Sequence, residues 1–437
     1  MDNQLAYIDQ AAFLAMRANG HEPVQQLAWV YDHDINVERL REVHANLGFG
    51  LLGRRIERSR LPFGRHRWVK ATHQGDLQIS PARPRDQFGA WLDEQGMVRV
   101  DPEYGPSWRM AMVPFTEGGG AVTLMVSHSV ADVGAILLSL FAALGGVKSD
   151  LGYPSPGARM KRGALREDVR AFRQSVPDIR AAFKAALPVL RDDKPATPRS
   201  KMPARVNETT TAIRPTVFAI VDAAEWDARA KELGGNSGSL VAGFAVRLGL
   251  IAGQMRDDGT IMLNFPVSDR KENDTRANAL TGMSVIGNPA EVVTNLAPIR
   301  ADLKSGLKDV AANPNPLLAS LALAPVTPKR VARRLEWLVL GEGPVVGCSN
   351  MGDVPDVLAQ IDGTQAEFVL ARGVEWPIGP AELDRIGNWL FVGSGRLNGK
   401  LLLFVTAWQA GSNNAHEHFT ELVKQALADF NLSGTFL

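Results

Sequence analysis

Cysteine is almost missing from this chain: Cys348 stands alone among 437 residues. A single thiol excludes an internal disulfide and suits a reducing, cytoplasmic compartment. Long apolar runs are missing too. The longest, "SLVAGFAV" and "PLLASLALAPV", are too short to cross a bilayer, and the polar, acidic opening "MDNQLAYIDQAAF" does not read as a secretion signal. Nor is there an excess of charge of one sign: 48 Lys and Arg against 47 Asp and Glu leave a net charge of +1. No overall field then draws in nucleic acid, and an anionic partner has to be held locally.

What is present is the composition of an ordinary globular protein, 45% hydrophobic and 22% charged, over a length greater than one core usually serves. "QQLAWVY" reads as a strand, followed by a helix with Val37, Leu40, Val43 and Leu47 three or four apart. A helix around "RDQFGAWLDEQG" is expected to end at Gly96 in a left-handed cap. "WRMAMVPF", "TEGGG" and "AVTLMVSH" read as a hairpin, and Ala135 to Leu144 as the next helix. Residues 163–190 carry apolar positions at helical spacing, broken by Pro177 and Pro188, and predict two helices. Residues 191–211 have three prolines and no periodicity, the composition of a linker.

Beyond it the pattern restarts. "TVFAIV" is a strand, "DAAEWDARAKEL" a helix with Asp222 and Glu225 at capping-box spacing, and "SGSLVAGFAVRLGL" a helix apolar all round. "TIMLNFPV" is a strand and "PIRADLKSGLKDVAA" a helix. Two strands about Asn398 and Gly399 and a final helix, "HEHFTELVKQALADF", close the chain. The reading is α+β with mixed sheets in two related halves, 1–190 and 212–437, joined by the 191–211 linker.

The chemistry concentrates in "VSHSVADVG". Of the eight histidines only His128 has an acidic residue four positions on, Asp132. By itself that spacing is weak, and a satisfied histidine at a strand end explains it as well. Strand and helix on either side make the turn suited to presenting one imidazole. A histidine acting as a base needs its ring fixed, and an aspartate in the same turn can fix the loop by taking an arginine from elsewhere. Arg270, ending the strand "NFPVSDR", is the candidate.

Four stretches in this order, "GPSWRMAMVPFTEGGGAVTLMVSHSVADVGAILLSLF", "GGNSGSLVAGFAVRLGL", "NFPVSDR…NALTG" and "GCSNMGDVP", resemble the chloramphenicol-acetyltransferase-like superfamily. That superfamily includes nonribosomal peptide condensation domains, wax ester synthase/diacylglycerol acyltransferases and polyketide-associated acyltransferases, and the resemblance spans nearly the whole chain. Its motif is HHxxxDG. His128 and Asp132 match the second histidine and the aspartate; Ser127 stands for the first histidine, and Val133 displaces the glycine to Gly134.

The resemblance implies two halves of one fold, mixed sheets flanked by helices, and an active-site tunnel between them. It implies direct acyl transfer from a thioester, acyl-coenzyme A or an acyl carrier protein, to a hydroxyl or amine acceptor, with O-acyl transfer favoured. His128 would be the general base, and the backbone or side chains of Ser349 and Asn350, with Ser127 as a further candidate, would contact the oxyanion or substrate. No metal or redox cofactor is implied, and a monomer is expected. Two alternatives stay open: a member without catalysis that binds acyl groups or acts as a scaffold, and a stand-alone peptide condensation enzyme, against which the absence of "DFGWG" counts.

Other features read more simply. Cys348 in "VVGCSN" is a buried structural thiol, and His416 and His418 are a polar helix start. The basic stretches 54–70 and 159–202, the second with twelve basic against five acidic residues, read as solvated faces or as contacts for coenzyme A phosphates, an acidic carrier or an anionic membrane surface.

Overall fold

A computed structural model describes residues 3–191, 210–313, 316–329, 331 and 344–437. Helix α1 (Tyr7–Asn19) precedes β1 (Glu22–Tyr31), and α2 (Val37–Leu47) follows with Leu40, Val43 and Leu47 buried, as their spacing predicts. The side chain of Asn36 accepts the Arg39 N–H and starts α2. A small hairpin, β2 (Arg54–Glu57) and β3 (Arg67–Lys70), then β4 (Gln78–Ile79) and α3 (Phe88–Gly96), lead to the long hairpin β5 (Trp108–Pro114) and β6 (Gly120–Ser127). Gly118 and Gly119 turn that hairpin at φ of 93° and 79°, where a side chain would be strained. Helices α4 (Val133–Leu144) and α5 (Lys161–Arg191) complete this part of the chain.

The second part runs β7 (Thr216–Asp222), α6 (Ala223–Glu232), α7 (Ser237–Ile251), β8 (Ile261–Ser268), β9 (Leu280–Gly287), α8 (Ala297–Ala312) and α9 (Pro316–Ser320). It continues with β10 (Val345–Asp353), β11 (Phe368–Trp376), α10 (Pro380–Ile386), β12 (Trp389–Leu397), β13 (Lys400–Trp408), α11 (His416–Ala428) and β14 (Thr435–Phe436).

Two mixed sheets organise these elements. One has five strands in the order β11-β1-β6-β5-β4, antiparallel except for β4 against β5. The other has seven, β14-β7-β13-β12-β10-β8-β9, with β10 parallel to both β12 and β8. Helices α2 and α4 cover one face of the first sheet; α7 and α11 fill the core of the second, where Leu240, Val241, Phe244 and Val246 are buried on all sides of α7. The α+β architecture expected from the sequence is present. Strand β11 ties the halves together: it comes from the second part of the chain but pairs with β1 from Glu22↔Trp376 to Val30↔Phe368.

Two local expectations change. Residues 161–191 form one helix rather than two, because Ala164, Asp168, Ala171, Ser175 and Ala182 make a buried row that stays in register past Pro177. Pro177 itself is exposed, so the carbonyl it leaves unpaired can turn to water. Gly96 lies inside α3, with Met97 as a right-handed cap at φ −85°, so no left-handed glycine ends that helix. The expected linker, apart from its ends, lies outside the described residues.

Candidate active site

The site is assembled where β6 gives way to α4. Asp132 is the N-cap of α4: it stands at φ −81° and ψ 175°, and its Oδ1 accepts the Ala135 N–H at 2.8 Å. That accounts for an aspartate at this position on helix-capping grounds alone. The same oxygen accepts Nη2 of Arg270 at 2.7 Å, and Oδ2 accepts the Ala279 N–H at 2.9 Å. Both side chains are buried, 7% exposed for Arg270 and 3% for Asp132. Removing one partner of such a pair leaves the other bare at a cost of about 3 to 5 kcal/mol.

Arg270 is held on its far side by carbonyls. Nη1 donates to Asp274 O and Arg276 O, and Nη2 to Ala277 O. Gly134, in the first turn of α4, leaves room for the guanidinium: a Cβ there would stand 3.4 Å from Arg270 Nε and 3.5 Å from Asp132 Oδ1. Val133 is the first helical residue, and its φ is not positive. The turn therefore asks nothing of it that a β-branched side chain cannot give.

His128 sits four residues before this cap with its backbone held from both sides. Its N–H donates to Pro23 O at 2.8 Å, and its carbonyl accepts Nδ2 of Asn278 at 3.2 Å. The side chain is half-buried, and among the described residues neither ring nitrogen has a hydrogen-bond partner. A ring with a fixed backbone and both nitrogens free is available to a ligand.

Several contributors have no signal in the sequence. Asp9 of α1, fully buried, accepts the backbone N–H of Ala277 and of Asn278 at 2.9 and 2.8 Å, so it fixes the loop that carries Asn278. Burial pushes the Asp9 carboxyl up from its ordinary value, and those two hydrogen bonds oppose the shift. Arg54 donates to Val130 O at 3.1 Å and lies 3.9 Å over the Trp68 ring, bracing the turn from beneath. Each of these partners is remote in the chain from what it holds, and no spacing rule reaches that far.

Ser127 is fully buried, and its hydroxyl donates to Oε1 of Glu22 while accepting the Ser129 N–H at 3.2 Å. Glu22 is itself buried. Burial pushes its carboxyl up to about 8; the Ser127 hydrogen bond pulls against this, and Asp101 adds to it. Ser127 therefore faces the strand end of β1, where the structure gives it a structural partner.

Ser349 and Asn350 lie on β10. Val346 and Cys348 point into the α7 core, so the pleat turns Ser349 to the other face, together with Gly347 and its neighbour Phe391. Asn350 is on the α7 side: its Oδ1 accepts the Gly352 N–H at 2.8 Å, and its Nδ2 would meet a Cβ placed on Gly238 at 3.3 Å. Among the described residues no hydrogen bond links either side chain to His128. Cys348 is fully buried, and burial pushes its thiol up, away from the reactive thiolate. His416 and His418 bond to Thr216 O and Gln409 Oε1 at the start of α11.

Beside the turn is a cavity between the two sheets, with about 620 Å³ of empty space, its open mouth included. Val133 and Leu137 of α4, Leu27 of β1, Phe218 of β7, Met351 of β10 and Phe404 of β13 are among its lining residues. Its walls are almost wholly apolar. Gly393 makes room for Phe404, since a Cβ there would lie 1.8 Å from the ring.

Two mixed sheets flanked by helices are a fold that this chain shares with solved condensation domains. The first condensation domain of the CDA synthetase superposes with a TM-score of 0.58 at 12% identity over 100% of this chain and 99% of that one. The condensation domain from the monacolin K polyketide synthase does so at 0.55 and 13%, over 98% and 96%. Polyketide synthase associated protein 5 from Mycobacterium tuberculosis gives 0.52 and 14%, over 95% and 96%. No family model matches the chain, and no curated protein matches it in sequence. The likeness is one of fold.

Proposed function

We propose that this protein is an acyltransferase that moves an acyl group from a thioester to a hydroxyl or amine acceptor, with His128 as general base. The observation that carries the reading is the His128 ring: half-buried, without a partner among the described residues, and set on a backbone clamped by Pro23 and Asn278. A free imidazole nitrogen takes the acceptor's proton as its oxygen or nitrogen attacks the thioester carbonyl. The tetrahedral oxyanion then collapses, the carbon–sulfur bond breaks, and the imidazolium returns the proton to the departing thiolate. Asp132 and Arg270 position the turn and take no part in proton transfer. Of the three candidate contacts, Ser127 is engaged by Glu22 and Asn350 lies on the α7 side, so Ser349, on the side of β10 away from the α7 core, is the one we favour for contact with the oxyanion or the substrate.

The apolar cavity next to α4 supports an acyl chain of some length as the transferred group. The donor is acyl-coenzyme A or an acyl carrier protein, an alcohol is the favoured acceptor, and no cofactor enters the reaction. Val133, at an ordinary helical position, offers no support for a member that has lost catalysis.

Thiol release from a panel of acyl-coenzyme A donors, with alcohol, amine or no acceptor, tests the reading. His128→Ala is expected to fold normally and to lower turnover by about a hundredfold or more. Near-normal turnover in the folded variant overturns the assignment. Amine-only turnover makes the protein a peptide-type condensation enzyme instead, and binding without turnover makes it a scaffold.

A further inference from the structure

The two basic stretches of the sequence have different fates. In 54–70 most of the cations have partners in the fold: Arg54 is buried and donates to Val130 O, Arg58 pairs with Glu103, Arg65 donates to Leu5 O, and Arg67 pairs with Asp168. Along α5 they are not. Arg162, Arg166, Arg170, Arg173, Arg180 and Lys184 are all exposed, and among the described residues none has a hydrogen-bond or ion-pair partner.

Their spacing of four, four, three, seven and four residues puts them on one row. At about 100° per residue the six fall within about 80° of arc, and from first to last they run about 33 Å along the axis. The exposed acids of the helix, Glu167 and Asp178, lie to one side of this row. On the other edge, five turns apart, Leu165 and Phe183 are 45% and 54% exposed. The opposite face is anchored by Asp168, which accepts from Arg159, Ser59 and Arg60, and on the flank beside Leu165 the Phe172 ring meets Phe63 at 4.7 Å. The row is therefore rigid and faces outward.

We propose that the α5 row is a docking face for an anionic lipid surface. Five of the six cations are arginines, whose planar fork binds phosphate oxygens in pairs. A straight row of this length touches a plane all along, whereas a small convex protein meets only part of it. Leu165 and Phe183, at matching heights on one edge, are placed to enter the headgroup layer at both ends of the row. Attraction to anionic headgroups acts within a Debye length of the surface, about 10 Å at 0.1 M salt, so the contact is reversible by salt. The proposal does not depend on what His128 does.

Co-sedimentation of the full chain with vesicles tests it, using phosphatidylcholine alone and phosphatidylcholine partly replaced by phosphatidylglycerol. Binding is expected only to the second, with release at high salt. The triple variant R166E/R170E/R173E is expected to bind at least about tenfold more weakly. R166K/R170K/R173K keeps the charge and should keep most of the binding. The exposed positions leave the melting temperature near that of the parent, which shows that the variants are folded. Failure to bind anionic vesicles, or binding that the charge reversal leaves unchanged, overturns the proposal. So does a row that ignores vesicles but retains an acidic protein or nucleic acid.

Discussion

Glu22 shows how a single residue couples the site to pH. The residue is 7% exposed, and burial pushes its carboxyl from 4.5 to about 8, so the folded state keeps a proton that the unfolded state releases. Between those values stability falls as pH rises, at up to about 1.4 kcal/mol per pH unit. His66, buried and pulled from 6.5 down to about 4, acts in the opposite direction between those two limits. Of the two, only Glu22 acts from about pH 6.5 to 8. Urea melts of the parent protein should lose stability across that window, while Glu22→Gln, which keeps the hydrogen-bonding oxygen and cannot ionise, should show a flatter profile. Equal slopes for both proteins would mean that Glu22 is not held neutral.

At the scale of elements, α5 is where local chemistry and tertiary packing conflict. Pro177 removes one backbone donor in the middle of a 31-residue helix, and its ring crowds the carbonyl four residues earlier. Burial of the small-residue row from Ala164 to Ala182 outweighs that cost. Proline is about 3 kcal/mol worse than alanine in a helix interior, and this site is exposed, with the donor's acceptor free. Pro177→Ala should therefore raise the melting temperature by several degrees in calorimetry. A lower melting temperature would show that the proline contributes to seating α5.

For the whole molecule, the exchange of β11 matters most. Nine register pairs bind it to β1, and Arg372 from the same strand reaches across to Gln26 and Asp93 at 2.8 and 2.6 Å. The halves thus share backbone hydrogen bonds as well as an apolar cavity. A protease site introduced between residues 192 and 209 should, once cut, leave two fragments that elute together in gel filtration under native conditions. Fragments that separate and stay folded would show that the β11 pairing is too weak to join them.

How much of this was legible beforehand follows from the range of each interaction. Helix and strand identities around the site came from local periodicity: Leu40, Val43 and Leu47 on α2, the glycines at the β5–β6 turn, and Asn398 and Gly399 at φ of 51° and 69° between β12 and β13. The Asp132–Arg270 pair was also reachable, because a capping aspartate and a strand-ending arginine each have a local signature. The Asp9 brace, the Arg54 contact with Val130 and the Glu22–Ser127 hydrogen bond were not, since they join positions 76 to 269 residues apart. The single α5 helix and the membership of β11 in the first sheet also required the fold, because a proline's local penalty and a strand's choice of partner are decided by what the rest of the chain buries against them. Sequence by itself determined most elements around the site, the histidine turn and the arginine that pairs with its aspartate; only the tertiary structure decided which remote groups hold that turn in place, because burial and hydrogen-bond satisfaction are properties of the assembled molecule.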